Sequence, residues 1–239
     1  MVFFALVIVT QFELNPTELY NLGNEYFEQG KYSEAIAAYE QASKRLLSAR
    51  VFYNLGNAYF KKGMHGMAIL NYRKALFLSP RDGDVRHNLE FARNYRVDKI
   101  ASSSRPLARV LSNIFQYVSL FEAQIMTTIL FVTASFLLSL YIIYRRKSFG
   151  YAAIVIALFC LFFFINWQVW AAERNGGYAV VTAPEVKGMS GPGDDYKEIV
   201  VMHDGAEVRV RERRGDYLLI QLPGGIGGWV PMHTIEEIF

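Results

Sequence analysis

Four histidines, one cysteine and a small set of asparagines are the side chains of this sequence best suited to catalysis or ligand recognition. His65, His87, His203 and His233 are scattered, without metal-ligand partners at helical spacing. Cys160 is a lone cysteine, so it can form neither an intramolecular disulfide nor a CxxC or Cys/His ligand set. There is no glycine-rich phosphate loop, no nucleophile elbow and no pair of carboxylates beside a base. The stretches "GPGDD" and "LPGGIGG" contain glycines, but neither opens a helix after a strand, and both read as turns. This inventory points away from an enzyme, and it calls for no cofactor and no metal.

Recognition chemistry is concentrated elsewhere. "NLGNEYF" at 21–27 returns as "NLGNAYF" at 54–60, 33 positions later. Aligned on their glycines, the copies read Leu19-x2-Leu22-Gly23-x2-Tyr26, Gly30, Ala35-x3-Tyr39, Ala42 and Phe52-x2-Leu55-Gly56-x2-Tyr59, Gly63, Ala68-x3-Tyr72, Ala75, Pro80. Residues four apart share a helix face. Small residues at Gly23/Ala35 and Gly56/Ala68 let two helices approach closely. Gly30 and Gly63 suit the turn between them, and Pro80 ends the second unit. This spacing resembles the tetratricopeptide repeat, a helix pair that stacks into arrays. Repeats are expected over 16–48 and 49–82. The segment 83–97 is expected as a capping helix, with Val85, Leu89 and Ala92 on its buried face and Asp84 near its N-cap.

The resemblance implies that the first helix of each repeat lines a concave groove. The groove residues would be Tyr20, Asn24, Phe27, Tyr53, Asn54, Asn57 and Phe60. Amides there could bond the backbone of an extended peptide while the rings cover its side chains; alternatively, the asparagines are simply repeat consensus. Asn24 and Asn54 match two positions of a carboxylate clamp known in this family. Tyr20, Asp84 and Asn88 stand where that clamp needs cations, so capture of a chaperone tail is not expected. Replacing Asn24 and Asn57 together should weaken partner capture and leave the fold intact.

The middle of the chain is different in kind. Residues 123–144 and 149–170 are two runs of 22 residues without a charge. Each can cross a hydrocarbon core of ~30 Å as a helix, with Tyr141, Tyr144, Tyr151, Trp167 and Trp170 near the ends as interfacial anchors. "RRKS" alone joins them, which forces an antiparallel hairpin and puts both flanking regions on one side. Residues 99–171 hold 6 Lys+Arg against 1 Asp+Glu, whereas 11–98 hold 12 against 10 and 172–239 hold 7 against 11. The basic loop places 145–148 in the cytoplasm and the end domains outside. A nucleic-acid binder would carry its basic surplus on a folded domain, so no nucleic acid is expected. Residues 1–10 are expected to be an export leader or an apolar segment packed on the first repeat. Residues 98–122 form an amphipathic linker lying in the interface or against the repeats.

After residue 177 the period changes to two. "YAVVT", "EIVVM", "EVRVR", "YLLIQ" and "GGWVP" are five short strands between Gly, Pro and Asp turns. They suggest a small closed barrel over 177–239. Ser190-Gly191-Pro192, Gly205-x2-Val208, Tyr217 and Gly228-Trp229-Val230 resemble bacterial SH3-like domains. Some of those bind cell-wall peptide, although Gly188-Met189 departs from their pattern. Tyr217 and Trp229 are expected as core and rim residues.

The expected fold class is therefore multidomain α + β: a helical repeat array, a two-helix transmembrane hairpin and an all-β SH3-like barrel. The order of parts resembles the BatE-like members of the Bat (aerotolerance) operon family, carried by residues 53–93, the hairpin and the terminal "GGWVP". That resemblance implies a non-enzymatic scaffold in a bacterial inner membrane, both end domains periplasmic, working with membrane-anchored Bat proteins in aerotolerance or envelope stress. Expected partners are other proteins and the lipid bilayer. The alternative is a sensor whose barrel grips peptidoglycan.

Overall fold

The computed structural model describes residues 14–98 and 117–238. The leader 1–10 and most of the amphipathic linker, residues 99–116, lie outside the described residues.

Five helices come first: α1 (Pro16–Glu28), α2 (Tyr32–Arg45), α3 (Ala49–Lys61), α4 (His65–Leu78) and α5 (Gly83–Asn94). α1 starts at a capping box. The Asn15 side chain accepts from the Thr17 and Glu18 amides, and Glu18 accepts from the Asn15 amide at 2.9 Å. The close approach of paired helices is strict. A Cβ on Gly23 would lie 2.4 Å from the Tyr39 ring, and one on Gly56 would lie 2.7 Å from the Tyr72 ring. Both rings are fully buried. The turns at Gly30 and Gly63 take φ of 73° and 76°, where glycine carries no steric penalty. α5 buries Val85, Leu89 and Ala92 against α4. Its N-cap is Asp82, which accepts from the amides of Asp84 and Val85, while Asp84 sits in the first turn.

The hairpin follows. α6 (Leu120–Tyr144) and α7 (Lys147–Asn175) are 25 and 29 residues long, about 38 and 44 Å at 1.5 Å per residue. They lie side by side, with Arg145 and Arg146 alone between them. Lys147 and Ser148, expected in the loop, belong to α7 instead, because Arg145 closes the turn in a left-handed conformation (φ 53°). Almost no residue in the most apolar stretch of either helix is fully buried by protein. The hydroxyls of Thr127, Thr133, Ser135 and Ser139 bond back to the carbonyl four residues earlier. Such bonding is what polar side chains need in a water-free medium.

The C-terminal part is one antiparallel sheet of seven strands: β1 (Tyr178–Val181), β2 (Glu185–Met189), β3 (Glu198–His203), β4 (Glu207–Arg214), β5 (Tyr217–Gln221), β6 (Gly227–Pro231) and β7 (Ile235–Glu237). The order is β3-β2-β6-β5-β4-β1-β7. Five strands were expected. β2 escapes the sequence pattern because Gly188 replaces an apolar inward residue: a Cβ there would meet Val200 at 2.7 Å. β7 escapes it because three residues are too few to show alternation. Ala179, Val181, Val186, Met202, Val208, Leu218, Ile220, Val230 and Ile235 form one buried cluster, so the sheet curls around a core. The two edge strands, β3 and β7, are not paired with each other among the described residues, which leaves the curl open rather than closed.

The parts are not beads on a string. Val180 and Ile238 of the sheet belong to the buried cluster of the repeats, beside Ile69, Tyr72 and Leu89. Phe77 of α4 meets Trp170 of α7 edge to face at 5.0 Å, and Arg81 pairs with Glu122 at 2.5 Å. α4 is therefore the hub on which sheet and hairpin both rest.

Candidate functional site

The groove residues sit on the first helices of the repeats, α1 and α3, and all seven are half-buried. Spacings of four and three residues put Tyr20, Asn24 and Phe27 on one stripe of α1, and Tyr53, Asn57 and Phe60 on one stripe of α3. What holds them is a hydrogen-bond unit that occurs twice. The Asn24 carbonyl oxygen accepts from Tyr39 Oη at 2.7 Å and from Asn54 Nδ2 at 2.9 Å. Asn54 Nδ2 also donates to Tyr20 Oη at 3.1 Å. One repeat later, Asn57 Oδ1 accepts from Tyr72 Oη at 2.7 Å and from Asn88 Nδ2 at 3.0 Å, and Asn88 donates to Tyr53 Oη at 3.0 Å.

The physical logic is one of satisfaction. Tyr39 and Tyr72 fill the spaces left by Gly23 and Gly56, so their hydroxyls are carried inside and need an acceptor. Burial pushes both phenols well above the usual tyrosine range. Each asparagine oxygen is used twice, and its two lone pairs are then full. The Nδ2 amino groups of Asn24 and Asn57 keep no protein partner among the described residues. These two amides are thus oriented donors, fixed by their own oxygens. The expectation that Asn24 and Asn57 can be removed without touching the fold is corrected here: deleting either oxygen strands a buried tyrosine hydroxyl.

An aromatic rim continues the stripe. Phe60 contacts His65, Phe91 and Tyr95 at ring distances of 5.2, 5.5 and 5.2 Å, and Phe91 packs on Tyr95 at 5.2 Å. Phe91 and Tyr95 remain 45% and 53% exposed, an unusual amount for rings that pack on one another. Sequence reasoning missed both. A signal for Phe91 was present, since a step of 34 residues, one longer than the 33 between the first two copies, carries Asn57 onto Phe91 and Asn54 onto Asn88. At the other end Phe27 meets Tyr32 edge to face at 5.3 Å.

On the sheet, Trp229 is buried, with the Arg214 guanidinium 5.2 Å over its ring. Tyr217 donates to Asp194 at 3.2 Å on the surface. Among the described residues no cluster of His, Cys, Asp or Glu could hold a metal ion.

Stacked helix pairs, glycine turns and an internal amide–tyrosine unit mark the N-terminal region as repeats of the tetratricopeptide type. A tetratricopeptide repeat family model matches residues 20–83, spanning α1 to α4. No curated protein matches the chain. Repeats of this kind serve generally as non-enzymatic protein-interaction scaffolds, and two helices here are long and apolar enough to cross a membrane.

Proposed function

We propose that this protein is a membrane-anchored adaptor whose repeat groove holds an extended segment of a partner protein. The observation that carries the proposal is the pair of outward Nδ2 donors on Asn24 and Asn57, repeated at the spacing of the array and pinned from behind. Backbone carbonyls of an extended chain are the natural acceptors for such a row, and the Phe60–Phe91–Tyr95 rim offers ring faces to its side chains. The length and apolar character of the two hairpin helices support a membrane anchor for the groove, and an anchored partner would then meet it at high effective concentration.

The basic turn at Arg145–Lys147 supports a cytoplasmic loop with the repeats and the sheet on the periplasmic side. The resemblance to BatE-like members of the Bat family supports a place in an envelope complex with other membrane-anchored Bat-type proteins, linked to aerotolerance or stress. The same resemblance supports reading the sheet as SH3-like, a second docking point rather than a catalytic module.

Aspartate in place of both asparagines tests the groove. Asn24→Asp with Asn57→Asp keeps the oxygens that accept from Tyr39, Tyr72, Asn54 and Asn88, and replaces only the outward donors. Crosslinked capture of membrane partners by the full chain should fall about tenfold, the order expected when a donor becomes a repelling acceptor, with thermal stability nearly unchanged. Undiminished capture would remove the groove from the account. Reporter fusions in the Arg145–Lys147 turn and after residue 238 test the orientation. Co-sedimentation of the full chain with purified cell wall, in place of protein capture, would favour the wall-sensing alternative.

A further inference from the structure

Where the repeats, the hairpin and the sheet meet, a cavity of about 1040 Å³ opens. α4 and α5 form one wall, and β4 with the β5–β6 turn forms another. Trp170 and Glu173 of α7 form the floor. Six arginines line it against three glutamates. The glutamates are used up on three of the cations. Glu207 takes Arg93 at 2.8 Å and Arg96 at 3.1 Å, and Arg73 bridges Glu173 at 3.1 Å and Glu207 at 3.8 Å. Glu90 lies 3.6 Å from Arg93.

Among the described residues no carboxylate lies at ion-pair distance from Arg86, Arg209 or Arg211, although Glu173 acts on Arg209 from further off. Arg86 donates to the Pro80 carbonyl at 2.7 Å, Arg211 to Gln221 Oε1 at 2.9 and 2.6 Å, and Arg209 to Tyr178 Oη. Arg209 and Arg211 stand two apart on β4, where an irregularity between Val210 and Glu212 interrupts the ladder to β5. Burial and the like charge of Arg211 pull the Arg209 guanidinium below its usual range, against the opposing charge of Glu173. Six guanidiniums against three carboxylates leave the cavity wall with a surplus of positive charge, three of whose cations have no carboxylate at ion-pair distance, and an anion would meet that surplus. Planar forks suit the tetrahedral oxygens of phosphate, which can accept two parallel bonds from each. The volume far exceeds a single inorganic ion and matches an organic headgroup.

The floor gives the location. Trp170 closes the uncharged stretch of α7, is 2% exposed, and donates Nε1–H to the Val118 carbonyl at 2.7 Å, next to the start of α6. The cavity therefore opens at the level where a lipid headgroup would lie. We propose that this cavity binds a phosphate-bearing anion of headgroup size through Arg86, Arg209 and Arg211. The site is separate from the groove, and its phosphate could come from an anionic lipid or from a soluble organic phosphate.

The test uses the full chain in neutral detergent. Dioctanoyl phosphatidylglycerol and inorganic pyrophosphate are titrated separately, with melting temperature as the readout. At least one probe should stabilise the protein saturably. The Arg86→Gln, Arg209→Gln, Arg211→Gln triple variant should raise the half-saturating concentration at least tenfold. A charge-matched control, Lys44→Gln with Arg50→Gln and Lys197→Gln, should not. Response to the lipid alone assigns the headgroup as source, and response to pyrophosphate alone assigns a soluble one. Because Arg209 is seated on Tyr178, the triple variant could lose its fold. Arg211→Gln alone then decides, with a threefold or larger shift expected. Saturation of the triple variant, or of Arg211→Gln where the triple does not fold, at the wild-type concentration would overturn the proposal. So would the absence of any response at millimolar probe, or an equal shift in the control.

Discussion

Asp204, in the turn between β3 and β4, accepts a hydrogen bond at 2.9 Å from the backbone amide of Gly66 in the first turn of α4. α4 has no side-chain cap of its own at Met64. It takes one from a residue 138 positions later in the chain. The negative carboxylate at a helix N-terminus also complements the positive end of the helix dipole. The second repeat is thus completed by the sheet, and the junction is part of the fold of both.

Gly66 is the point where this junction has no slack. A Cβ would stand 2.1 Å from Asp204 Oδ1 and 2.5 Å from the Val181 carbonyl. Gly66→Ala should therefore cost about 1–3 kcal/mol through overpacking. The effect should appear as a lower melting temperature together with new protease cuts between the hairpin and the sheet. A variant with wild-type stability and protection would show that the sheet is not seated there.

Glu207 should make the junction sensitive to acid. Its side chain is 19% exposed and faces Arg73, Arg93 and Arg96. Burial raises its pKa, but the bond to Arg93 and the three positive charges win and hold the carboxyl below the usual glutamate range. A depressed folded-state value means that this stabilisation is complete above the unfolded pKa of about 4.3 and is lost as pH falls through the folded value. Asp204 runs the opposite way, since burial raises it, so it offsets part of that loss. Hydrogen exchange of β1 and α4 should accelerate below about pH 4. Glu207→Gln should destabilise the protein at neutral pH by about 2 kcal/mol, less than a fully buried pair, and flatten the acid response.

Gly56→Ala tests the spacing that underlies the repeat. The new methyl would press on the Tyr72 ring at 2.7 Å, and Tyr72 is buried and bonded to Asn57. The ring cannot move without breaking that bond, so a loss of about 2–3 kcal/mol is expected. Circular dichroism during thermal melting reads it out. Gly83→Ala, where a Cβ would meet nothing, is the comparison and should be close to neutral.

Phe131, 65% exposed on α6, tests the membrane reading. Phe131→Arg places a charge in the span and should cost about 2.5–3.5 kcal/mol of insertion free energy at most. Fractionation of cells should shift the protein from membrane to aggregate. Unchanged membrane recovery would argue that this face does not meet lipid.

Much of this architecture was legible in the residues themselves. Gly23, Gly56, Tyr39 and Tyr72 announce close-packed helix pairs because small and large must alternate across a tight contact. The hairpin was plain from two charge-free runs, and β4 from Val208 and Val210 alternating with Glu207 and Arg209. What was hidden is long-range. Arg93 and Glu207 are 114 positions apart and look like ordinary surface charges until the fold brings them within 2.8 Å. Asn24 and Asn57 looked free to bind because nothing local reveals that Tyr39 and Tyr72 already claim their oxygens. Val180 reads as one more sheet residue, yet it faces the repeats.

That last placement has a bearing on biosynthesis. A ribosome delivers the helical repeats first, then the hairpin, and only later the strands that bring Val180 and Ile238. Until those two side chains arrive, the oily flank of α4 has no cover, and the newborn array stays unfinished. Completion of the repeats is then a late event that waits on the strands rather than a progressive one.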